Sequence, residues 1–330
     1  MARFPCSQID FVILNTLAQL LSPAGKSARL SIVIYHRVLV EPDLLLGDKG
    51  DAETFDLHLN YLTSHFNILP LHEAVQRLQN GTLPSRAVCI TFDDGYADNA
   101  EIALPILQKY GVSATFFIAA GFVNGGMMWN DKVIELIRRA SGDFLDLREM
   151  GLERYKINSL LLRQEALFSI LDTLKYQPFE TRRLQVEKLC ELIPVTIPEN
   201  FMMTPNQLRM LHSAGMEIGG HTVNHPILAR LADNDAYTEI ADGKEILENI
   251  IRGPIRLFAY PNGKPCKDYL PAHTAMLRRI GFEAAVSTAW GTAKNGNDLY
   301  QLPRFTPWDT GRLRFVLRMM QNMRKTVEVV

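Results

Sequence analysis

Ala87-Val88-Cys89-Ile90-Thr91-Phe92-Asp93-Asp94-Gly95 is the stretch on which the fold turns. An apolar run, Ala87 to Ile90, leads into two acids and a glycine, which reads as a buried strand with a carboxylate pair at its end. Side chains alternate along a strand, so Asp93 and Asp94 are expected to point in different directions. Carboxylates this close repel, and one pKa rises unless a cation sits between them or beside one. An isolated Asp-Gly is usually only a turn signal. Here the doubled acid closes a hydrophobic strand within a long α/β pattern, where active sites collect.

Working outward, Leu30-Ser31-Ile32-Val33-Ile34-Tyr35 is a second buried strand, and it delivers His36 and Arg37 at its end. Residues 41–53 read as a loop, Thr54 as the cap of a helix carrying Phe55, Leu59, Leu62 and Phe66, and Asn80-Gly81 as a helix stop. Beyond the acids, the spacing predicts a helix over 100–110 stopped by Gly111, then a strand over 114–118. From Lys132 to about Leu192 the periodicity is helical with little strand signal, so residues 132–203 read as a helical insertion or lid. Thr204-Pro205 starts another helix, and Met216 to Gly220 forms a strand running into His221. Helices and strands then alternate to Leu302-Pro303-Arg304-Phe305 and a last helix with a basic side. Such alternation argues for an α/β fold, a mainly parallel sheet or barrel, in a single domain over 1–330.

The 330 residues carry a net charge of −1, which gives no reason to expect nucleic acid as a partner. Cys6, Cys89, Cys190 and Cys266 are scattered, with no CxxC pair, and read as free thiols. Phe11 to Leu21 is apolar but interrupted by Asn15, Thr16 and Gln19, and it lacks the cationic start and cleavage site of a secretory signal. It is also too short to span a bilayer, so it reads as an amphipathic helix packed on the domain or resting on a membrane surface. The expected location is cytoplasmic, with peripheral membrane contact as an option; the oligomeric state is left open.

His221-Thr222-Val223-Asn224-His225 places two imidazoles four residues apart, so that one helical turn would bring both to one side. On a surface helix such a pair is common and means little. This pair follows a strand and Gly219-Gly220, where backbone can approach a bound ion. Two histidines and one carboxylate are a usual catalytic set for zinc. Asp94 supplies the carboxylate, and Asp93 is then free to act on bound water.

Thr91-Phe92-Asp93-Asp94-Gly95, His221 to His225 and Phe258-Ala259-Tyr260-Pro261-Asn262-Gly263, in this order, resemble the first three motifs of the polysaccharide deacetylases, the NodB-homology or carbohydrate esterase 4 group. The likeness covers about residues 86–305, with 132–203 as an insertion. It implies a distorted (β/α) barrel of about seven parallel strands. It implies further that Asp94, His221 and His225 bind a divalent metal, Zn²⁺ or alternatively Co²⁺, that Asp93 is the general base, and that the Asn262 backbone N–H meets the oxyanion. The implied substrate is an N-acetylated glycan.

Two positions depart from the family pattern. Its third motif begins with an arginine that steadies the base, and that seat is Ala259; Arg304 or Arg37 are candidates to replace it. The family's late histidine, its usual acid, is missing, and His273 sits at a helix start. His36 is the better acid, because Tyr35-His36 is similar to an early Tyr-His in the biofilm poly-N-acetylglucosamine deacetylases, a branch whose barrel is circularly permuted. The competing reading of His36 is a core histidine with a satisfied hydrogen bond. Asn262, Trp129, Asp131 and Arg304 are the candidates for oxyanion and substrate contacts, with Trp129 stacking on a sugar and Asp131 either bonding a hydroxyl or capping a helix. Tyr96 lines the cleft or packs inside; Met127-Met128 and Met202-Met203 read as apolar fillers. Two further functions stay open: hydrolysis of a small amide, cyclic imide or O-acetyl ester on the same fold, and carbohydrate binding without turnover.

Overall fold

The computed structural model describes residues 8–47 and 50–330, with side chains from Phe11 onward. Cys6 lies outside the described residues; Cys89, Cys190 and Cys266 are free thiols. The chain opens with α1 (Gln8–Leu21) and β1 (Arg29–Tyr35). The next helix, α2 (Ala52–His65), begins earlier than expected, because Asp51 rather than Thr54 is its cap and accepts from the Thr54 N–H. β2 (Asn67–Ile68) and α3 (Leu71–Asn80) follow, the helix ending on Gly81 at φ 64°. β3 (Ala87–Phe92) is buried along its whole length. A π-helical turn, Asn99–Ala103, leads into α4 (Leu104–Tyr110) and then β4 (Thr115–Ile118).

The expected insertion contains α5 (Trp129–Arg139), then β5 (Phe144–Asp146) and β6 (Arg154–Lys156), then α6 (Leu160–Lys175) and α7 (Phe179–Leu192). The β5–β6 pair is a small antiparallel sheet that the sequence pattern did not announce, since three-residue strands carry almost no periodicity. α8 (Pro205–Ser213) starts with the expected cap, Thr204, completed into a capping box by Gln207. The remaining elements are β7 (Glu217–Gly220), α9 (Asp233–Ile251), β8 (Leu257–Ala259), α10 (Pro271–Ile280), β9 (Ala284–Val286), β10 (Ala293–Lys294) and α11 (Arg312–Asn322).

The main sheet runs β10-β1-β3-β4-β7-β8-β9, with β2 paired to β3 beside it. Every pair in it is parallel except β1–β10. The segment 302–305 bonds to β9 on one side, through Leu302 N–H to Ala285, and to β1 on the other, through Phe305 N–H to Ile32. It links the two ends of a curled sheet, which is the distorted (β/α) barrel expected.

Alternation along β3 sorts its side chains. Val88, Ile90 and Phe92 join a large cluster with the surrounding helices, whereas Ala87 and Cys89 join a second cluster with Leu30, Ile32, Phe117, Leu257 and the apolar face of α3. The insertion has a third core of its own, in which Leu136, Leu167, Ile170 and Leu189 pack with Leu45 from the early loop.

Candidate active site

The parity of β3 sets the site. Ala87 and Cys89 face the sheet's inner cluster, and by the same alternation Thr91 and Asp93 face that way too. Arg304 is waiting there. Its two terminal nitrogens grip Asp93 at 2.6 and 2.7 Å, its Nε donates to the Ser287 carbonyl at 2.9 Å, and Thr91 Oγ1 is 3.3 Å away. The guanidinium is 0 % exposed. Burial alone would raise the Asp93 pKa, but Arg304 outweighs it and keeps the carboxyl below its ordinary range. Arg304 therefore makes, from the adjoining segment of the curled sheet, the contact to Asp93 that Ala259 cannot make. It does not line the cleft, which removes it from the substrate contacts. Arg37, the other candidate, is turned away and pairs with Asp98 at 2.8 Å while stacking on Tyr96 and Phe201.

Asp94 leaves the strand by a backbone reversal, with φ at 79°. Its Oδ1 lies 3.4 Å from His221 Nε2 and 3.3 Å from His225 Nε2. One ligand atom from each of the three residues lies within 4.8 Å of the other two. Burial opposes ionisation of Asp94, but His225, His221 and His36 hold its pKa well below the usual carboxylate range. The two histidines do not meet by a helical turn, as their spacing suggested. They sit on a loop after β7, with Thr222 at φ 65° and His225 at φ 53°. A positive φ is an outlier for a β-branched residue such as Thr222, and strain of this kind gathers at functional sites. The loop is held by Glu239, which accepts from the N–H groups of Val223 and Asn224. Gly219 and Gly220 serve a different purpose from the one expected: a Cβ on Gly219 would lie 2.4 Å from the Phe117 ring and one on Gly220 3.2 Å from Phe282, so they make room for aromatic rings, not an ion.

Three observations fit a divalent cation at this cluster. His221 Nδ1 lies 2.7 Å from the Ala259 carbonyl, so in the neutral ring it is the N–H donor and Nε2 carries the lone pair that faces Asp94. Burial lowers the His225 pKa to about 4 against the opposing pull of Asp94, so the ring gives up its proton readily in favour of a cation. The separations of 3.3 and 3.4 Å match the edge of a tetrahedron around zinc, about 3.3 Å for bonds near 2.0–2.1 Å.

A cleft of about 340 Å³ opens on the cluster, lined by His36, Asp93, Asp94, Trp129, Asn262 and Thr288 among others. His36 is exposed at its mouth and not buried in the core, and it lines the cleft together with Asp93 and Asp94. Asn262 has φ 59°, and its carbonyl accepts from the Thr288 hydroxyl at 2.7 Å. Trp129 is half-buried, and the Arg182 guanidinium stacks 4.9 Å from its ring centre, so that face is closed to a sugar. Asp131 is neither a cap nor part of this cleft. The cap of α5 is Met128, and the Asp131 carboxyl accepts from the Tyr96 hydroxyl at 3.0 Å. It faces an adjoining cavity of about 500 Å³ that shares His36, Asp94 and Asn130 with the cleft. Tyr96 lines that cavity and is also packed inside; Met128, Met202 and Met203 are buried fillers. Reasoning from sequence missed the far wall of the cleft, where α6 and α7 contribute Phe168, Lys175 and Arg182. No motif marks them.

Fold and cluster together define a class: a parallel α/β scaffold whose strand ends bring one aspartate and two histidines within reach of a single divalent ion. The polysaccharide deacetylase family model matches residues 80–151 and 170–285, more than half of the chain, and the chain belongs to that family. The break in the match, 152–169, is shorter than the insertion read from the sequence. The chain is 23% identical to the Bacillus subtilis protein YxkH over 84% of its own length and 71% of that protein's. It is 26% identical to a poly-β-1,6-N-acetyl-D-glucosamine N-deacetylase of Staphylococcus aureus, over 50% of its own length and 58% of the relative's. Among solved structures, the Streptococcus pyogenes deacetylase PplD superposes with a TM-score of 0.60 at 21% identity, covering 90% of this chain and 99% of that one. IcaB from Ammonifex degensii gives 0.58 at 19% identity, covering 91% and 98%. At these identities the superpositions speak for the fold.

Proposed function

We propose that this chain is a metal-dependent deacetylase that hydrolyses N-acetyl groups on a glycan, with Zn²⁺ as the ion and Co²⁺ as a working substitute. The observation that carries the reading is the meeting of Asp94, His221 and His225 beside an Asp93 that Arg304 holds ionised. His221 Nε2, His225 Nε2 and an Asp94 oxygen would hold the ion. Such an ion, when bound, lowers the pKa of water to about 7 and polarises a carbonyl. Asp93 accepts the proton of the attacking water; Arg304 fixes its direction and keeps it anionic, at some cost in basicity. The Asn262 backbone N–H donates to the oxyanion that develops on the acetyl carbonyl. His36, at the cleft mouth, gives a proton to the departing amine. The Arg304–Asp93 pair weighs against the alternative of binding without turnover.

A peripheral membrane contact is a separate part of the proposal. α1 buries Leu14 and Ala18 but leaves Val12, Leu17 and Leu20 exposed. α11 packs beside it, exposing Leu313 and Leu317 together with Arg314. Among the described residues, no helix is long and apolar enough to cross a membrane.

Acetate release from N-acetylated chito-oligosaccharides tests the central reading. Turnover should stop on chelation and return with Zn²⁺ or Co²⁺. Affinity for glycan with no acetate released at any metal loading would leave only the binding reading.

A further inference from the structure

The cleft's far wall carries more positive charge than the proposed chemistry uses. Within the cleft, Asp93 is matched by Arg304, and Asp94 by the histidines and the ion they would share. That leaves Lys175 and Arg182 against one carboxylate, the exposed Asp172. Arg182 is 5 % exposed, yet no carboxylate among the described residues pairs with it. Its guanidinium lies between the rings of Trp129 and Phe179, at 4.9 and 5.8 Å, and Nη1 donates to the Lys175 carbonyl at 3.0 Å. This packing occupies one of five N–H donors.

A purely structural role for Arg182 would be stacking plus one bond to the end of α6. An uncharged side chain of similar length does that without placing a permanent charge in a poorly hydrated wall, and a buried charge with no counter-ion is costly. The excess continues outward, because Lys267 lies 4.1 Å and Arg230 5.9 Å from the ring of Tyr176, the residue after Lys175. A guanidinium backed by an aromatic plane, with its free edge in a cleft beside a lysine, is suited to a planar or tetrahedral oxyanion.

We propose that the glycan deacetylated here is anionic, carrying a phosphate or carboxylate next to the N-acetylated sugar, and that Arg182 and Lys175 receive this group. The inference rests on the deacetylase reading and adds the chemical class of its substrate. Metal-loaded full-length protein is assayed for acetate release from a neutral chito-oligosaccharide, from N-acetylglucosamine 1-phosphate, and from an oligosaccharide alternating N-acetylglucosamine with a uronic acid. One anionic substrate is expected to show kcat/KM about tenfold or more above the neutral one, in keeping with a charge-assisted contact. Whichever arm wins identifies the anion. R182Q should bring the anionic-to-neutral ratio close to one, and K175Q should lower it several-fold; Lys175 is partly exposed, so K175Q decides the matter if R182Q fails to fold. A ratio near one in the wild type, or a ratio that neither variant moves, overturns the anionic substrate and leaves the deacetylase standing. If no substrate releases acetate, the deacetylase reading fails on its own, and calorimetric titration with N-acetylglucosamine 1-phosphate still tests the anion site: binding that K175Q weakens supports it, and no binding ends it.

Discussion

Asp93 depends on Arg304 for both its charge and its aim. The pair is buried, with Asp93 4 % and Arg304 0 % exposed at the side chain, so removing one partner strands the other. R304M should destabilise the protein by roughly 3–5 kcal/mol, read as the shift in denaturant midpoint, and abolish turnover in whatever fraction stays folded. R304K should recover stability better than activity, since an ammonium cannot hold both carboxylate oxygens at once. A variant R304M with wild-type kcat would remove Arg304 from the mechanism. His221 offers a cleaner separation: H221A should lose bound metal and acetate release together, measured by metal analysis after dialysis. Asp131 makes a pH-dependent prediction. Burial raises its pKa from 3.8 to about 7, so the folded state binds a proton that the unfolded state has already released. Its contribution is therefore most favourable below about pH 4 and declines as pH rises toward 7. D131N keeps an acceptor for the Tyr96 hydroxyl and carries no charge. It should raise stability near pH 7.5, on the order of a few kcal/mol at most, and match the wild type near pH 4. Thermal unfolding of both proteins across that range checks the sign.

At the scale of elements, the insertion is a wall of the cleft as well as a cover. α6 and α7 place Phe168, Lys175 and Arg182 opposite the strand ends, and they are held there by a core separate from that of the main sheet. Leu167 is fully buried in that core. Leu167→Ala should cost about 2–5 kcal/mol of local stability. If the wall positions substrate, KM should rise more than kcat falls, because the cluster of Asp94, His221 and His225 lies outside this core. An unchanged KM in a demonstrably loosened insertion would show that α6 and α7 do not touch the glycan. The same loop region is tied in from the other side, where Arg138 pairs with Asp43 and Gln164 donates to the Leu44 carbonyl.

At the scale of the molecule, the chemistry sits at the carboxyl ends of parallel strands, and α1 and α11 pack together with exposed apolar residues. The membrane proposal is tested by flotation with anionic phosphatidylglycerol vesicles. Leu17→Glu and Leu20→Glu together should abolish co-flotation and leave acetate release from a soluble oligosaccharide intact. Wild-type protein that stays with the soluble fraction would refute the contact.

Local pattern was enough for the buried strands, the cap at Thr204 and the stop at Gly81, because each depends on residues a few positions apart. The same holds for the identity of the acids and imidazoles, which the strand-end motifs at Asp93-Asp94 and His221–His225 expose directly. Tertiary structure alone decided which arginine serves Asp93. Arg304 and Arg37 were equal candidates in the chain, and what separates them is that 302–305 links β9 to β1 on the inner side, whereas Arg37 turns out toward Asp98. The insertion's own core likewise sets α6 and α7 against the cleft, and with them Arg182, a placement that no short-range pattern announces. Sequence records short-range preferences of the backbone and the chemistry of each side chain. Which distant groups share one buried volume is settled only when the sheet closes and every charge inside it must find a partner.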